Sequence, residues 1–377
     1  MLTESIRDRD FPRLRDRSYL NTAAEGILPI QSKEALANYA ADKDLGMEGR
    51  PLLFAEMDRC RESAGDLLGL SREEVSFCSS TSEAYNLLAT AIEFGEHGEV
   101  VVTDLDFPAG ATPWLQLPAH PSVCLWKNRD GILELDELDA LLNENTKLVQ
   151  VSLVSFLTGY RIPWAHFRDL VREKAPQAIL AVDVTQAAGR VDLDCLDADC
   201  LFASSYKWLL GSHGSCVVAV PRHARDRIIV RAGGWYHLAN AFDADRFSRA
   251  EPFPGAPGFA VGMPAFPAIY ALRSGIDLIR ETGARRIAEH ADPLVARIHE
   301  GLAELGFETM SPPQPGNSSG IISFQTTADA ALSDFLLSKN IHVMHQAGRI
   351  RISIHGYNTE EDIDRCLEAL KDFRKTN

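Results

Sequence analysis

An aspartate and a lysine each follow a short apolar segment and could do chemistry together. Asp183 ends a segment that begins at Ala181, and Lys207 stands shortly after a segment that ends at Ala203. A lysine amine can form an imine with an aldehyde, and a carboxylate can keep a heterocyclic nitrogen protonated. Pyridoxal phosphate (PLP) requires both groups, because protonation of its ring makes it an electron sink. The pair therefore predicts a PLP site in which Lys207 forms the imine.

A hydroxyl-rich segment is a candidate for binding the phosphate. Residues 80–86 read Ser-Thr-Ser-Glu-Ala-Tyr-Asn and lie between a predicted strand and a predicted helix. The N–H groups and hydroxyls at the start of a helix can bind a phosphate. An ordinary helix cap would explain the same segment if it stood alone. Together with Asp183 and Lys207, phosphate binding by Thr81 and Ser82 becomes the better explanation.

Alternating patterns predict the sheet that must position these residues. From about residue 74 to 221, short β-rich runs alternate with amphipathic segments, as in parallel βαβ units, and such sheets bind ligands at the carboxyl ends of their strands. A long helical pattern covers about 265–305, with candidate breaks near Gly275 and Gly283, and a small α+β unit follows. The strand candidates in the first region are 75–78, 100–103, 123–126, 148–154, 179–182, 201–203 and 216–220.

Composition limits the class of protein. The 377 residues, 45% of them hydrophobic, are enough for two packed domains. A formal net charge of -15 argues against nucleic acid or an anionic membrane surface as a partner. The seven cysteines are scattered without a C-x-x-C pair, so neither a disulfide framework nor a metal site is predicted. A charged N-terminus and the lack of an apolar run of ~20 residues predict a cytoplasmic protein without a membrane span.

From residues 19–24 to residues 357–364, nearly the whole chain resembles the class V aminotransferase family of fold-type I PLP enzymes. This branch includes cysteine desulfurases, isopenicillin-N-epimerase-like proteins and kynureninases. The resemblance implies an α/β fold of the aspartate-aminotransferase type, with a mainly parallel sheet in a large PLP-binding domain at 16–260. It implies a small α+β domain, with a connecting helix, formed by 1–15 and 261–377. It also implies a homodimer with active sites at the interface.

The resemblance assigns further residues to the cofactor. Gln186 matches a residue that hydrogen-bonds the phenolic oxygen of PLP, and Ser204 and Tyr206 match phosphate donors. Phe107 matches the residue over the ring, a histidine in desulfurases and a phenylalanine in kynureninases. A phenyl ring can stack but cannot move a proton. The implied cofactor-binding residues are Thr81, Ser82, Phe107, Asp183, Gln186, Ser204, Tyr206 and Lys207.

Arg351 matches the family arginine that binds the α-carboxylate of the substrate. The alignment rests on the Tyr-Asn-Thr-Glu-Glu-Asp segment that begins at residue 357. A guanidinium group makes two parallel hydrogen bonds to a carboxylate and so orients the substrate. Arg349 is the alternative residue for this role.

Three further departures from the family bear on the reaction. The segment 342–349 lacks the cysteine that forms a persulfide in desulfurases, which disfavours that route but not a direct C–S lyase. Met263 occupies a position where relatives have a threonine that reaches the phosphate of the neighbouring subunit. Phe156 replaces a polar residue near the ring. These changes predict an apolar pocket.

The predicted function is PLP-dependent transformation of a small-molecule amino acid through an external aldimine, with Lys207 as the base. Transamination between an amino acid and a 2-oxo acid is the first expectation. An epimerase, or a kynureninase-like or C–S lyase, is the alternative. A sensor or assembly protein is the alternative outside enzymes, although the presence of Lys207 and Asp183 argues against it. His345 and His355 are candidate auxiliary acids, and each is also explained as an ordinary solvated or core residue.

Overall fold

The computed structural model describes residues 4–117 and 121–376, in which the strands form three sheets. The largest sheet has seven strands, the second has three, and a two-stranded pair joins the N-terminal segment to the C-terminal part. The strands are β1 (Ser18–Tyr19), β2 (Val75–Cys78), β3 (Glu99–Thr103), β4 (Ser122–Trp126), β5 (Thr146–Ser152), β6 (Ile179–Asp183), β7 (Cys200–Ser204), β8 (Cys216–Ala219), β9 (Ile321–Gln325), β10 (Ile341–His342), β11 (Met344–Gln346) and β12 (Arg349–Ser353).

The seven-stranded sheet has the order β2-β8-β7-β6-β5-β3-β4. Strands β4, β3, β5, β6 and β7 run parallel, whereas β8 is antiparallel to both β7 and β2. All seven strands predicted for this region are present, with ends that differ by no more than two residues. The predicted mainly parallel sheet is confirmed.

Helices cover both faces of this sheet and one face of the small sheet. Short 3-10 helices connect several elements, at Pro12–Leu14, Arg72–Glu74, Pro108–Gly110, Arg222–Arg227 and Ala256–Phe259. The α-helices are α1 (Glu4–Asp10), α2 (Ile30–Asp44), α3 (Arg50–Leu68), α4 (Thr81–Ala91), α5 (Thr112–Gln116), α6 (Leu135–Leu141), α7 (Trp164–Lys174), α8 (Phe266–Thr282), α9 (Ala284–Glu304), α10 (Asp329–Ser338) and α11 (Glu360–Thr376).

Strand β6 illustrates why the central strands are continuous apolar runs. Leu180 and Val182 pack into a core with α3, α7 and α8, whereas Ala181 packs into a second core with α4. Successive side chains of a strand point to opposite faces, so a sheet covered on both faces needs apolar residues at every position. Polar residues stand at the strand ends, where Asp183 ends β6 and Ser204 ends β7.

The small sheet has the order β11-β12-β9 and is antiparallel. Ile350 and Ile352 of β12 pack into a core with α9, α10 and α11. Arg349 and Arg351 alternate with them and therefore lie on the opposite face. The parallel pair of β1 and β10 ties the N-terminal segment to this α+β unit.

The predicted domain boundaries, 16–260 against 1–15 with 261–377, stay a prediction, although the two main sheets fall on either side of the division at residue 260. Within the described residues, no helix combines the length and the apolar character needed to cross a bilayer.

The long helical pattern folds as two helices, α8 and α9, which meet at Gly283. The positive φ of Gly283, 88°, ends α8, so this predicted break is confirmed. The break predicted near Gly275 is wrong, because α8 continues through that position. A Cβ at position 275 would lie 2.3 Å from the carbonyl oxygen of Leu209. Gly275 therefore allows α8 to pack closely against the loop that contains Lys207.

We expect Gly275→Ala to destabilise the protein, because its methyl group would meet backbone rather than a movable side chain. Overpacking of this kind costs about 1–3 kcal/mol, from which up to about 1 kcal/mol of helix propensity is recovered. The midpoint of urea unfolding measures the change. Gly233→Ala is the control, since a Cβ there meets nothing within 4 Å. Equal midpoints for Gly275→Ala and the parent protein would contradict the packing argument.

Candidate active site

The carboxyl ends of the central parallel strands bring predicted site residues to one edge of the sheet. Asp183 ends β6 and Ser204 ends the neighbouring strand β7. Lys207 follows Ser204 by three residues, and Phe107 follows β3, which runs in the same direction. Ligand sites of α/β folds lie at this edge. The topology therefore gathers four residues that are far apart in the chain.

Two donors fix the carboxylate of Asp183. The hydroxyl of Tyr85 donates to Oδ2 at 2.6 Å, and the N–H of Thr185 donates to Oδ1 at 2.7 Å. Burial raises the pKa of Tyr85 well above its usual value, so the phenol keeps its proton and remains a donor. Within the described residues, no lysine or arginine forms an ion pair with Asp183. The buried carboxylate could therefore hold a further cationic group, such as a protonated pyridine nitrogen.

The amine of Lys207 lies in apolar surroundings. Its Nζ is 5.8 Å from the centre of the Phe107 ring and 5.6 Å from that of the Tyr206 ring. Burial lowers the pKa of Lys207 to about 8, although nearby Asp183 acts in the opposite direction, and the charge of Arg351 lowers it further. A lysine with such a pKa is a nucleophile and a proton acceptor near neutral pH.

A close backbone contact holds the loop that carries Lys207. The N–H of Gly26 donates to the carbonyl oxygen of Tyr206 at 2.7 Å, and a Cβ at position 26 would lie 2.0 Å from the carbonyl oxygen of Lys207. Only a residue without a side chain fits there. The N–H of Gly211 closes the loop by donating to Ser205 at 2.8 Å. The lysine backbone is thus fixed by the protein itself.

The first turn of α4 is a candidate cradle for a phosphate. The Ser80 side chain caps the helix by accepting from the Glu83 N–H at 3.2 Å. The N–H groups of Thr81 and Ser82 belong to the first turn and have no acceptor within the helix. Oγ1 of Thr81 and Oγ of Ser204 are 3.3 Å apart, so the hydroxyls meet at the helix end. These groups could bind the phosphate of PLP.

Two other residues border this cradle. Tyr206 stacks on His213 with ring centres 4.3 Å apart, and burial raises the pKa of its phenol, so it remains a donor. Met263 is 45% exposed and lines a cavity of about 170 Å³ together with Ser79 and Glu83. Its thioether offers no strong donor to a phosphate. The apolar pocket predicted from Met263 and Phe156 stays a prediction.

Gln186 lies at the site but is partly engaged. Its Nε2 donates to the carbonyl oxygen of Ala23 at 3.1 Å, and its Oε1 accepts from Nε1 of Trp208 at 2.6 Å. An amide carries two N–H bonds, so one remains for the predicted contact with the phenolic oxygen of the cofactor. Nε2 of His355 lies 3.1 Å from the carbonyl oxygen of Trp208 and supports this arrangement.

The two histidines considered as auxiliary acids are engaged elsewhere. Burial lowers the pKa of His355 to about 3, and its Nδ1 accepts from the Gly356 N–H, so the neutral ring uses both nitrogen atoms. His345 pairs across the strands with Ile350, which faces the small-sheet core, and so lies opposite the face of the arginines. Its Nδ1 is 3.8 Å from the carboxylate of Asp329.

An apolar pair lies between the lysine and the arginines. The rings of Phe107 and Phe156 meet edge to face with centres 5.0 Å apart. The carboxylate of Asp106 accepts from the N–H of Ser152 at 2.7 Å and so holds the Phe107 segment against β5. Phe107 is 52% exposed, so its ring remains open to a ligand. Neither ring can exchange a proton.

Arg349 and Arg351 both lie against Phe156. Nη1 of Arg351 donates to the carbonyl oxygen of Phe156 at 2.9 Å, and the guanidinium of Arg349 is 5.7 Å from its ring centre. Burial and the charge of Arg349 lower the pKa of Arg351 to about 10. Arg351 is the arginine whose charge acts on Lys207, which supports it over Arg349 for the position nearer the amine.

Three contact residues were not predicted from the sequence. Tyr85 follows Thr81 by one helical turn, a spacing that puts both on one side of α4, and Thr185 follows Asp183 by two residues. These spacings are visible in the sequence. The position of Trp208 depends on the fold of its loop and has no such signal.

The donor set fits PLP. It combines an acid held by neutral donors, a lysine in apolar surroundings and a helix terminus lined by hydroxyls. In residues 4–117 and 121–376, no cluster of three His, Cys, Asp or Glu side chains is arranged to hold a metal ion.

The chain matches one family profile and is similar to named members of PLP enzyme families. The family profile described as Aminotransferase class-V matches residues 51–366. An uncharacterized aminotransferase of Bacillus subtilis is 24% identical over 362 residues, which cover 96% of this chain and 95% of the relative. A probable cysteine desulfurase of Methanothermobacter thermautotrophicus is 25% identical over 403 residues, which cover 99% and 98%.

The fold is also that of solved PLP enzymes. A variant of the cystine C–S lyase C-DES, with glycine covalently linked to its PLP cofactor, superposes with a TM-score of 0.86 at 19% identity. The match covers 97% of this chain and 99% of the other. It confirms the predicted fold type.

We expect apoprotein and PLP, reduced with borohydride, to become covalently linked at Lys207. The yield, measured from pH 6 to pH 11, should rise with a midpoint near 8, because the protonated amine present below the lowered pKa of about 8 is not a nucleophile. Peptide mass spectrometry identifies the lysine, and Lys207→Ala is the control. Labelling of another lysine, or a midpoint near 10.5, the ordinary lysine pKa, would contradict the assignment.

Asp183→Asn should retain PLP but lose about 10- to 150-fold in turnover, the range for one hydrogen bond to a charged group. An amide cannot balance a positive ring nitrogen as a carboxylate does. Tyr85→Phe is the matched control, because it removes one donor to Asp183 and leaves the carboxylate and the Thr185 N–H in place. Turnover of Asp183→Asn above that of Tyr85→Phe would show that the carboxylate is not the ring partner.

Proposed function

The chain belongs to the class V aminotransferase family and is a PLP-dependent enzyme, and on that premise we propose that it is an aminotransferase acting on an amino acid and a 2-oxo acid. The observation that supports transamination is the environment of Lys207. Its amine has a pKa of about 8 and faces Phe107, where desulfurases of the family have a histidine. In this proposal, the amine of Lys207 is the group that transfers protons.

In the proposed reaction, Arg351, Lys207 and Asp183 have different roles. When bound, PLP supplies electron withdrawal from the Cα of the substrate and a carbon atom that can retain the amino nitrogen. Arg351 holds the α-carboxylate and thereby orients the Cα–H bond. Nζ of Lys207 accepts the proton from Cα and can return this proton to a neighbouring atom. Asp183, held by Tyr85 and the Thr185 N–H, balances the positive ring nitrogen.

The same geometry disfavours epimerisation. Inversion at Cα requires proton exchange on two faces of the carbon, whereas transamination can use a single base that serves two neighbouring atoms. The residue opposite the amine, Phe107, is apolar, and His355 is neutral with both nitrogen atoms engaged. Transamination, which can use a single base, therefore needs fewer proton-transferring groups than epimerisation.

Direct C–S cleavage is the second candidate, because relatives named cysteine desulfurases and the cystine C–S lyase share this fold. The segment 342–349 contains no cysteine, so a protein persulfide at that place is not part of this candidate. Cleavage without a protein thiol would use the same amine and arginine.

We further propose a cytoplasmic homodimer. Residues 235–253 present aromatic side chains to solvent, with Phe242 82% and Phe247 90% exposed. Exposed apolar groups at this density are typical of protein interfaces. The cysteines are free, which is compatible with a reducing compartment.

A single-turnover experiment with ¹⁵N-labelled amino acids tests the proposed reaction. In the absence of a 2-oxo acid, the label should be recovered in the cofactor released by denaturation, and the carbon skeleton should appear as a 2-oxo acid. An added unlabelled 2-oxo acid should then remove the label. Lys207→Ala is the control. Release of labelled ammonia with sulfide would select C–S cleavage, and recovery of the inverted amino acid would select epimerisation.

A further inference from the structure

Arg349 and Arg351 form a pair of buried positive charges on one face of the small sheet. They alternate with Ile350 on β12, so their side chains project from the same face of the sheet. The two positions are two residues apart along the strand, a distance of about 6.7 Å. Arg349 is 6% exposed and Arg351 is 3% exposed. The cross-strand neighbours on this face are Gln346 and Gln325 for Arg349, and Met344 and Ser323 for Arg351.

This arginine pair has no acidic partner in the part of the chain that the structure describes. Arg351 donates to the carbonyl oxygen of Phe156, and Arg349 makes only a long contact of 3.5 Å with Oε1 of Gln346. Nε of each arginine and the hydroxyl of Ser323 are buried without a hydrogen-bond partner. Burial of charges and donors that remain unpaired is unfavourable. The face is therefore suited to an anion with several acceptor oxygens.

Two other arginines in the described residues, Arg190, which is buried, and Arg7, which is partly buried, have acidic partners. Nη2 of Arg190, which is fully buried, donates to Asp292 at 2.8 Å. Arg7 pairs with Asp362 at 3.2 Å. The sequence contains 53 Asp and Glu against 38 Lys and Arg, so acids are not scarce. The lack of an acid at the arginine pair is a local feature of the site.

The arginine pair borders the reacting centre. Phe156 contacts both arginines, its ring meets that of Phe107, and Phe107 lies over the amine of Lys207. The mutual repulsion of the two guanidinium groups contributes to the lowered pKa of Arg351. A ligand with two negative charges would relieve this repulsion, whereas a ligand with one would leave one guanidinium unbalanced.

We propose that Arg349 binds a second, side-chain carboxylate of the substrate while Arg351 binds its α-carboxylate, so that the enzyme selects dicarboxylic amino acids such as glutamate or aspartate. This inference rests on the proposed function of the site in binding amino acids. Each guanidinium offers two parallel N–H donors to one carboxylate, and Ser323 can add a hydroxyl donor beside Arg351. A neutral isostere such as glutamine presents an NH₂ group and leaves Arg349 without an anion.

Binding of unreactive ligands to the PLP-loaded protein tests this selectivity without any reaction. Glutarate carries two carboxylates and no amino group, and its monoamide, glutaramate, differs from it by one charged group. Calorimetric titration should give a Kd for glutarate about 30- to 150-fold lower than that for glutaramate. Similar affinities for the two ligands in the parent protein would overturn the inference.

Variants separate the two arginines. Arg349→Gln should weaken glutarate about 30- to 150-fold and change glutaramate less than about twofold, because only one ligand carries the second charge. Arg351→Lys should weaken both ligands alike, because both have the carboxylate assigned to Arg351. Arg285→Gln, at a residue whose side chain is 82% exposed, controls for the loss of one positive charge.

Each remaining result has a defined meaning. Melting temperature and PLP content of Arg349→Gln show whether the variant is folded, and Arg349→Lys provides a second variant if it is not. An unchanged ratio of glutarate to glutaramate affinity in folded Arg349 variants would overturn the inference. Loss of self-association instead of glutarate affinity would also overturn it, by assigning Arg349 to a subunit contact. Failure of amino-group transfer with preserved selectivity would reject only the proposed reaction.

Discussion

Close contact between three backbone segments around Lys207 is the constraint on which the site depends. Gly26 packs against the carbonyl oxygen of Lys207, and Gly275 packs against that of Leu209, so the lysine loop is held from two sides. The loop then has little freedom to carry the amine into solvent. Burial of the amine follows from this packing, and the lowered pKa follows from burial. Backbone packing thus sets the chemistry of one side chain.

The negative charge of Asp183 and the positive charges of the two arginines lie around the amine of Lys207. Asp183 lies at the end of β6, where it accepts hydrogen bonds from two neutral donors. The two arginines lie on β12 of the small sheet, beside Phe156. Phe107 and Phe156 occupy the space between and present apolar rings to the amine and to the arginines. The protein has a formal net charge of -15, yet the two buried arginines form a local cluster of positive charge.

Likeness in fold does not fix the reaction, since relatives with this architecture are named both aminotransferases and cysteine desulfurases. Phe107 cannot exchange a proton and segment 342–349 carries no thiol, which is why the proposed reaction uses Lys207 for proton transfer. In the proposed selectivity, the second arginine of β12, Arg349, acts on the substrate rather than on the type of reaction. The proposed reaction and the proposed selectivity therefore rest on separate parts of the site.

The sequence by itself determined the strands of the central sheet and put Asp183 and Lys207 after two of them, because apolar runs with polar ends are local signals, and its motifs indicated the family. It identified Arg349 and Arg351 only as alternatives for one role. The role of Gly275 could not be read locally, since the reason for a glycine there is a loop 66 residues earlier in the chain. Likewise, only the tertiary structure decided that both arginines lie buried against Phe156 without an acid in the described residues, because burial and charge pairing depend on segments that meet only after folding.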